Sequence, residues 1–403
     1  MSSQNVKNES WLLFTLAGMF FTHILDFMIM MPLGPQLIRS LHINTQQFGW
    51  LLSCYTFSAA ISSVLASYYV DRFDRRPLFL LVYFLFMLAT LCCGLVQDFY
   101  LLMVARVLAG AFGGLIEAMV QTIIADVIPF ERRGVAIGKV TSAFSFSIVA
   151  GVPIGLFLAN FWPALGWHAP FFFLGLVCFG LLLLAWRYLP SLRGHLTHSV
   201  RLGAWQNIMS ILRIRQLLFA LLFVVLLTCG GFMVTPFITL YLTSNVGIAE
   251  ADIPSIYFCA GVATLFSSRL IGKLADRYGK QKVYRYIALS ACVPILLATQ
   301  MTEIPFFLVL LNCIALFMLV PGRMICAMGF LTQLPAPHQR GTFMSLFSAV
   351  QMVAIGFSTF LTSHVLLKDA SGHLLHFDWI GLLAIFFGLW TIYLFPSLAP
   401  QKP

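Results

Sequence analysis

Two stretches of this chain, Leu78–Val96 and Phe171–Trp186, contain no charged residue at all. Runs of about 18 or more mostly apolar residues are long enough to cross the hydrocarbon core of a bilayer as a helix. Inside lipid the backbone must satisfy its own hydrogen bonds, which leaves helices or a closed barrel. These runs lack the period-two alternation of a barrel strand, so helices are predicted. Similar runs recur from end to end. With charged residues at 9%, the chain could not cover a soluble domain with a polar surface.

The runs divide into twelve predicted helices, numbered in chain order: 11–37, 46–70, 77–96, 99–126, 135–160, 168–189, 215–243, 252–275, 283–301, 304–331, 341–366 and 379–396. The first run ends in MMPLGPQL, without a small-residue cleavage site, so helix 1 is expected to stay in the mature protein. An even number of spans puts both termini on one side. Of the 24 Lys and Arg, all but Arg39, Lys368, Arg106 and Arg323 fall in loops or ends on that side. Basic loops stay in the cytoplasm, so both termini are expected there, in a bacterial inner membrane. The nine cysteines sit in apolar runs and form no CxxC pair; small packing residues are the expectation, not disulfides or metal ligands. The net charge of +10 is spread over short loops and gives no nucleic-acid footprint.

The longest hydrophilic connection, 190–214, divides the chain into an N-terminal bundle, 1–189, and a C-terminal bundle, 215–403. These halves repeat each other. VDRFDRR at 70–76 recurs as ADRYGKQ at 275–281, PFERRG at 129–134 as PAPHQRG at 335–341, and Pro32 as Pro236, all at offsets of 204–207. A duplicated six-helix unit is a common transporter plan, with the substrate site between repeats near the membrane midplane.

The connection after helix 8 reads Gly272-Lys-Leu-Ala-Asp276-Arg277-Tyr-Gly279-Lys280-Gln-Lys282. It resembles the G-x-x-x-D-R-x-G-R/K-x-x loop motif of the major facilitator superfamily. The first-half copy keeps Asp71, Arg72, Arg75 and Arg76, with Ser67 and Asp74 where the family has glycine. Arg106-Val-Leu-Ala-Gly110 in helix 4 is similar to the family's R-x-x-x-G signature, and Gly151-Val-Pro153-Ile-Gly155 in helix 5 partly resembles its antiporter motif. The resemblance spans nearly the whole chain and leans toward the drug–proton antiporter and sugar-efflux-like branch. It implies an all-α membrane fold of two pseudo-symmetric six-helix bundles, a cavity lined by helices 1, 4, 7 and 10, and a gating role for the Asp–Arg loops. In that role Asp71 and Asp276 would accept hydrogen bonds from a helix N-terminus, and the arginines would pair with Glu131 or Asp126.

Ionisable groups inside spans are costly and mark function by default. Helix 1 carries His23 and Asp26 on one face; helix 4 carries Arg106 and Glu117, eleven apart, with Gly110, Gly113, Gly114 and Gln121 on or near that face. Helix 10 carries Asn312 and Arg323, also eleven apart, at the repeat offset from Arg106 and Glu117. That offset predicts Glu117 and Arg323 facing each other across the pathway, unless Arg323 snorkels to the surface. Depth predicts that Arg106 reaches Asp26. Proton-coupled exporters of the resembled family place an acid in helix 1 near the helix-4 arginine, which makes Asp26 the expected proton carrier, with His23 tuning or relaying. Met19, Met28, Met30 and Met31 offer adaptable apolar surface. Thr228, Thr235 and Thr239 on helix 7 and Gln351, Ser358 and Thr362 on helix 11 would bind a hydroxylated substrate or bond between helices. His364, His373 and His376 with Asp369 and Asp378 read as a solvated loop rather than a metal site.

The chain shows no nucleotide-binding loop and no catalytic motif, so an enzyme is not expected. The expectation is a proton-coupled exporter of a small organic molecule, monomeric and without a cofactor. A facilitator or proton symporter remains open, as does a transporter-like sensor that moves no solute.

Overall fold

A computed structural model describes residues 9–69, 73–190, 209–335 and 340–398. Within these residues twelve helices are long and apolar enough to cross a membrane. In chain order helices 1–6 are Glu9–Ile29, Thr45–Ala66, Arg75–Leu95, Phe99–Val127, Arg132–Phe161 and Gly166–Tyr188. Helices 7–12 are Arg215–Ser244, Glu250–Tyr278, Lys280–Gln300, Phe306–Leu331, Thr342–Val365 and Phe377–Leu394. Residues 191–208, most of the predicted connection between the halves, lie outside the described residues, as do Asp71 and Arg72.

The packing order shows the duplication directly. Helix 1 packs on helices 5 and 6, helix 2 on helix 4, and helix 3 on helices 4 and 6. Adding six to each number gives the second half: 7 on 11 and 12, 8 on 10, and 9 on 10 and 12. The two bundles meet where helix 2 packs on helix 11 and helix 5 on helix 8.

Helices 1 and 7 are both interrupted, as Pro32 and Pro236 require, because proline supplies no N–H and clashes with the preceding turn. Helix 1 is regular to Ile29, then resumes as a short helix at Gly34–Ser40. Helix 7 is regular to Phe232, passes through a 3-10 turn at Thr235–Phe237 and resumes at Ile238–Ser244. Helix 5 carries a π turn at Ser147–Gly151, in which the Val152 N–H reaches Ser147 O, five residues back. Pro153 explains it, since the carbonyl that its missing N–H would serve is left over and the helix rewinds. Ser147 Oγ donates to Phe21 O on helix 1 at 3.2 Å. On the other side Gly261 of helix 8 lies so close to Val149 that a Cβ there would be 2.6 Å from its Cα.

One end of the molecule carries Glu9 and the Phe395–Leu398 turn; the opposite end is sealed by contacts between the halves. There Arg39, after the break in helix 1, pairs with Glu250 at the start of helix 8, its Nη2 donating to Oε2 at 2.8 Å. Asn160 of helix 5 donates to the Glu250 carbonyl at 3.4 Å and accepts from Gln36 at 3.0 Å. The Phe48 and Phe237 rings meet edge to face at 6.0 Å. Gly49 presses on Ser363, where a Cβ would come within 2.1 Å of the serine Cβ. A two-residue hairpin, Leu367–Lys368 paired with Leu374–Leu375, brings Lys368 beside Arg39 and Glu250. Partial burial, then the Arg39 charge, pushes the Lys368 ammonium below its usual lysine value. The only two basic residues predicted in loops of this end therefore share one place, at the seam.

The seal predicts its own weak point. An exposed ion pair is worth roughly 1 kcal/mol or less, so Glu250→Gln should raise maleimide labelling of a Ser363→Cys reporter about two- to fivefold. Gly49→Leu, which drives a side chain into helix 11, should open the seam further than Glu250→Gln does; equal labelling in all three proteins would show that these contacts do not hold the end closed.

Candidate functional site

Helix 4 approaches helix 2 at backbone distance, and glycine makes that possible. A Cβ on Gly110 would lie 2.2 Å from Tyr55 O, and one on Gly114 would lie 2.3 Å from Ala59 O. Gly113 faces helix 1 instead, where a Cβ would meet His23 Nδ1 at 2.4 Å. Small residues of this kind let membrane helices close until side chains from three helices converge.

At that convergence Arg106 Nη1 donates to Asp26 Oδ2 at 2.8 Å and to the Asp26 carbonyl at 3.2 Å. Both side chains are wholly buried. Thr90 of helix 3 donates to the other carboxylate oxygen at 3.3 Å. The guanidinium lies over the Tyr55 ring, 4.2 Å from its centre, a cation–π contact strengthened by the absence of water. Arg106 Nε and Nη2 are buried with no hydrogen-bond acceptor among the described residues. The Tyr55 hydroxyl bonds His23 Nδ1 at 2.9 Å. His23 Nε2 lies 3.9 Å from Glu117 Oε2, and Ser348 of helix 11 donates to Glu117 Oε1 at 3.5 Å. A file of neighbouring polar groups therefore runs from Thr90 through Asp26, Arg106, Tyr55, His23 and Glu117 to the opposite half, with a ring contact between Arg106 and Tyr55 and a 3.9 Å gap between His23 and Glu117. Its innermost pair is wholly enclosed, while the Glu117 side chain is 23% exposed. This chain can carry charge changes from a closed site toward the seam between the bundles.

The expected Asp26–Arg106 reach is present. Tyr55 and Ser348, which link the chain, were not singled out by sequence; one hydroxyl among twelve tyrosines gives no signal in a helix of ordinary composition.

Arg323 stands elsewhere than expected. It does not face Glu117: its Nη2 donates to Gly230 O at 3.2 Å and its Nε to Val320 O at 3.4 Å, inside the C-terminal bundle. The break in helix 7 explains this. Val234, whose N–H would close the next turn onto Gly230, bonds Gly231 O instead, so the Gly230 carbonyl is left for the arginine. Gly230, Gly231 and Gly388 line the guanidinium, and a Cβ on Gly388 would lie 2.9 Å from Nη1. The offset relating Pro32 to Pro236 also relates Asp26 to Gly230. In each half an arginine grips the corresponding carbonyl ahead of the break, but only the first half supplies a carboxylate. Asn312 also turns away from a shared cavity, its Nδ2 donating to Pro294 O on helix 9 at 3.2 Å.

Thr235, Thr239 and Thr362 act between or along helices, bonding Gly231 O, the Tyr257 hydroxyl and Met233 O. Gln121 and Gln351 are half-buried and make no hydrogen bond among the described residues. Met19, Met30 and Met31 are core residues, packed and buried. Gly151 and Gly155 of the helix-5 motif lie against Leu25 and Ile29 of helix 1. Among the described residues no cluster of His, Cys, Asp and Glu could hold a metal ion.

In the first loop motif Arg75 is buried and pairs with Asp126, as expected of the loop arginines. Asp74 caps helix 3, accepting from the Arg76 N–H at 3.1 Å, and Arg76 Nη2 donates to Trp186 O at 2.7 Å. Aspartate in place of glycine thus starts the helix rather than distorting the loop. In the second copy Gly279 carries φ +91° in the single residue between helices 8 and 9, a backbone state that essentially requires glycine. Lys280 donates to Gly329 O at 2.6 Å, and Arg277 lies over the Tyr278 ring at 5.3 Å. Gly272 faces open space. Asp276 is exposed and makes no hydrogen bond among the described residues. Residues 336–339, ahead of helix 11, are outside them.

The sequence profile of the Major Facilitator Superfamily matches residues 16–359. The chain belongs to this family. It is 25% identical over 349 residues to the Bacillus subtilis (strain 168) protein named "Uncharacterized MFS-type transporter YceJ", covering 85% of each. It is 27% identical over 170 residues to Multidrug resistance protein 2 of the same organism, covering 42% of each. Among solved structures it superposes on a D-xylose–proton symporter with a TM-score of 0.77 at 17% identity, covering 95% of this chain and 96% of that one. Its TM-score with the nucleoside transporter NupG is 0.75 at 11% identity, covering 96% and 100%. At these identities the structural likeness shows the fold, two six-helix bundles of a major facilitator transporter.

Removing one partner of a buried ion pair leaves the other charge uncompensated, at a cost of roughly 3–5 kcal/mol. Arg106→Gln should therefore lower thermal stability sharply, and the double variant with Asp26→Asn should recover most of it. A thermal shift assay in detergent that found the two single losses simply additive would show that the pair is not coupled.

Proposed function

We propose that this major facilitator transporter is a secondary active exporter that exchanges protons for a small organic molecule by alternating access. The observation that carries the reading is the enclosed Asp26–Arg106 pair at the junction of helices 1, 2 and 4. Protonation of Asp26 cancels the carboxylate charge and loosens its hold on the guanidinium. Arg106 also holds Tyr55 of helix 2, and helix 2 packs along helix 11 of the other half. A proton at Asp26 thereby acts on the interface that rocking must rearrange. His23 and Glu117 continue the chain to Ser348, so that the second carboxylate, more open to water, exchanges protons with the pathway. The likeness to Multidrug resistance protein 2, over part of each chain, supports efflux.

In this reading the end bearing both termini faces the cytoplasm of a bacterial cell, because its loops hold the basic residues. The end sealed by Arg39 and Glu250 then faces outward. The Arg75–Asp126 pair on the cytoplasmic end ties helix 3 to helix 4 and keeps the first bundle rigid as it rocks.

The test is substrate-induced proton movement in proteoliposomes, screened with lipophilic cations, sugars and carboxylates, with Asp26→Asn beside the unmodified chain. Export by antiport predicts proton flux opposite to substrate flux, abolished in Asp26→Asn. Flux in the same direction would make the protein a symporter, and solute movement without protons would make it a facilitator. Under the proposed coupling Glu117→Gln should slow exchange about tenfold or more, as expected for loss of a positioned acid–base group, while keeping substrate binding.

A further inference from the structure

The lipid-facing side of the C-terminal bundle holds a cleft of about 490 Å³ between helices 9 and 12, lined by Arg285, Leu289, Leu389, Ile392, Tyr393 and Pro396. Its one cation, Arg285, sits five residues into helix 9, roughly 7 Å from the start of the span on the end bearing the termini. That is the level of lipid headgroups and not of bulk water.

Among the described residues no carboxylate pairs with it. Helix 9 contains no Asp or Glu, and the single acid of helix 12, Asp378, lies at the opposite end of that helix. Among the described residues Arg285 has no ion-pair partner. Below the arginine the walls turn apolar and stay exposed: Leu289 and Val293 on helix 9, Leu389 and Phe386 on helix 12. A cation at headgroup depth, above an apolar groove that opens sideways into the bilayer, matches one molecule in both parts.

We propose that this cleft is a binding site for an anionic phospholipid. Its phosphate is held by Arg285, whose guanidinium fork suits a phosphate, and one acyl chain lies in the groove between helices 9 and 12. At the repeat offset of 205 Arg285 falls on Leu80 of helix 3. The cation on the matching face of the first bundle, Arg76, is one turn nearer the helix start and donates to the Trp186 carbonyl, so the two faces differ in where the charge stands. Helix 9 packs on helix 10, and a lipid wedged against helices 9 and 12 touches the bundle that carries Arg323 without entering the pathway.

The experiment is native mass spectrometry of the purified full chain, equilibrated with phosphatidylglycerol and phosphatidylcholine of identical acyl chains. The expected result is one phosphatidylglycerol retained in preference to phosphatidylcholine. Arg285→Gln should reduce that retention roughly five- to tenfold, the size expected of one basic contact to an anionic headgroup, and Arg285→Lys should restore part of it. Leu389→Trp, which fills the groove while leaving the cation, should also expel the lipid. Equal retention of the two lipids, or retention unchanged in Arg285→Gln, would overturn the proposal. Displacement by millimolar inorganic phosphate would show a soluble-anion site and overturn it as well, and a lipid unaffected by Leu389→Trp would remove the groove from it. None of these outcomes depends on what the protein transports.

Discussion

A guanidinium and a carboxylate enclosed together in the membrane interior constrain everything around them. Arg106 and Asp26 each lose water that would stabilise them strongly, and only close pairing with added hydrogen bonds offsets that loss. The helices must therefore hold both groups in register. Glycines on helix 4 bring helix 2 near enough for the Tyr55 ring to cover the guanidinium, and Thr90 of helix 3 takes the second carboxylate oxygen. Four helices of the first bundle thus share one electrostatic centre.

The second bundle repeats the geometry without the charge balance. Arg323 reaches the carbonyl of Gly230, which stands where Asp26 stands in the first half. The backbone carbonyl left over by the helix-7 break provides a partial negative charge, and three glycines make room for the side chain. The broken helix recurs in both halves, but the arginines are not equivalent: at the repeat offset Arg106 falls on Asn312 and Arg323 on Glu117, so each half reaches its carbonyl from a different position.

Most of the fold was legible because the signals are local. Length and hydropathy marked all twelve spans. In the sequence Pro32 and Pro236 mark only a repeat match, and the breaks they cause inside the predicted spans 11–37 and 215–243 are not anticipated. The Asp26–Arg106 contact was legible too, since two rare intramembrane charges at related depths have few other partners. Glu117 and Arg323 show where such reasoning ends. The repeat offset gives depth but not the direction a long side chain takes, and the arginine turned to an unpaired carbonyl that a list of charges does not display. The glycines at 230, 231 and 388 were the available trace of it. The hydroxyls of Tyr55 and Ser348 left no trace, because their role depends on which helices touch.

The π turn in helix 5 has a consequence for how the two halves are kept in phase. Each residue of a helix turns its successor by about 100°, so one extra residue in a turn rotates everything beyond it by that angle. At its start the turn offers Ser147 to helix 1; inside it, Val149 is offered to helix 8; after it, Gly155 returns to helix 1. A regular helix would carry Gly155 about 80° past the face of Ser147, and the extra residue in the turn brings it back to within about 20° of that face. The length of the chain between Phe146 and Pro153 therefore acts as a phase setting, and insertion or loss of a single residue there would re-aim one end of helix 5 while leaving its composition, hydropathy and span length almost untouched.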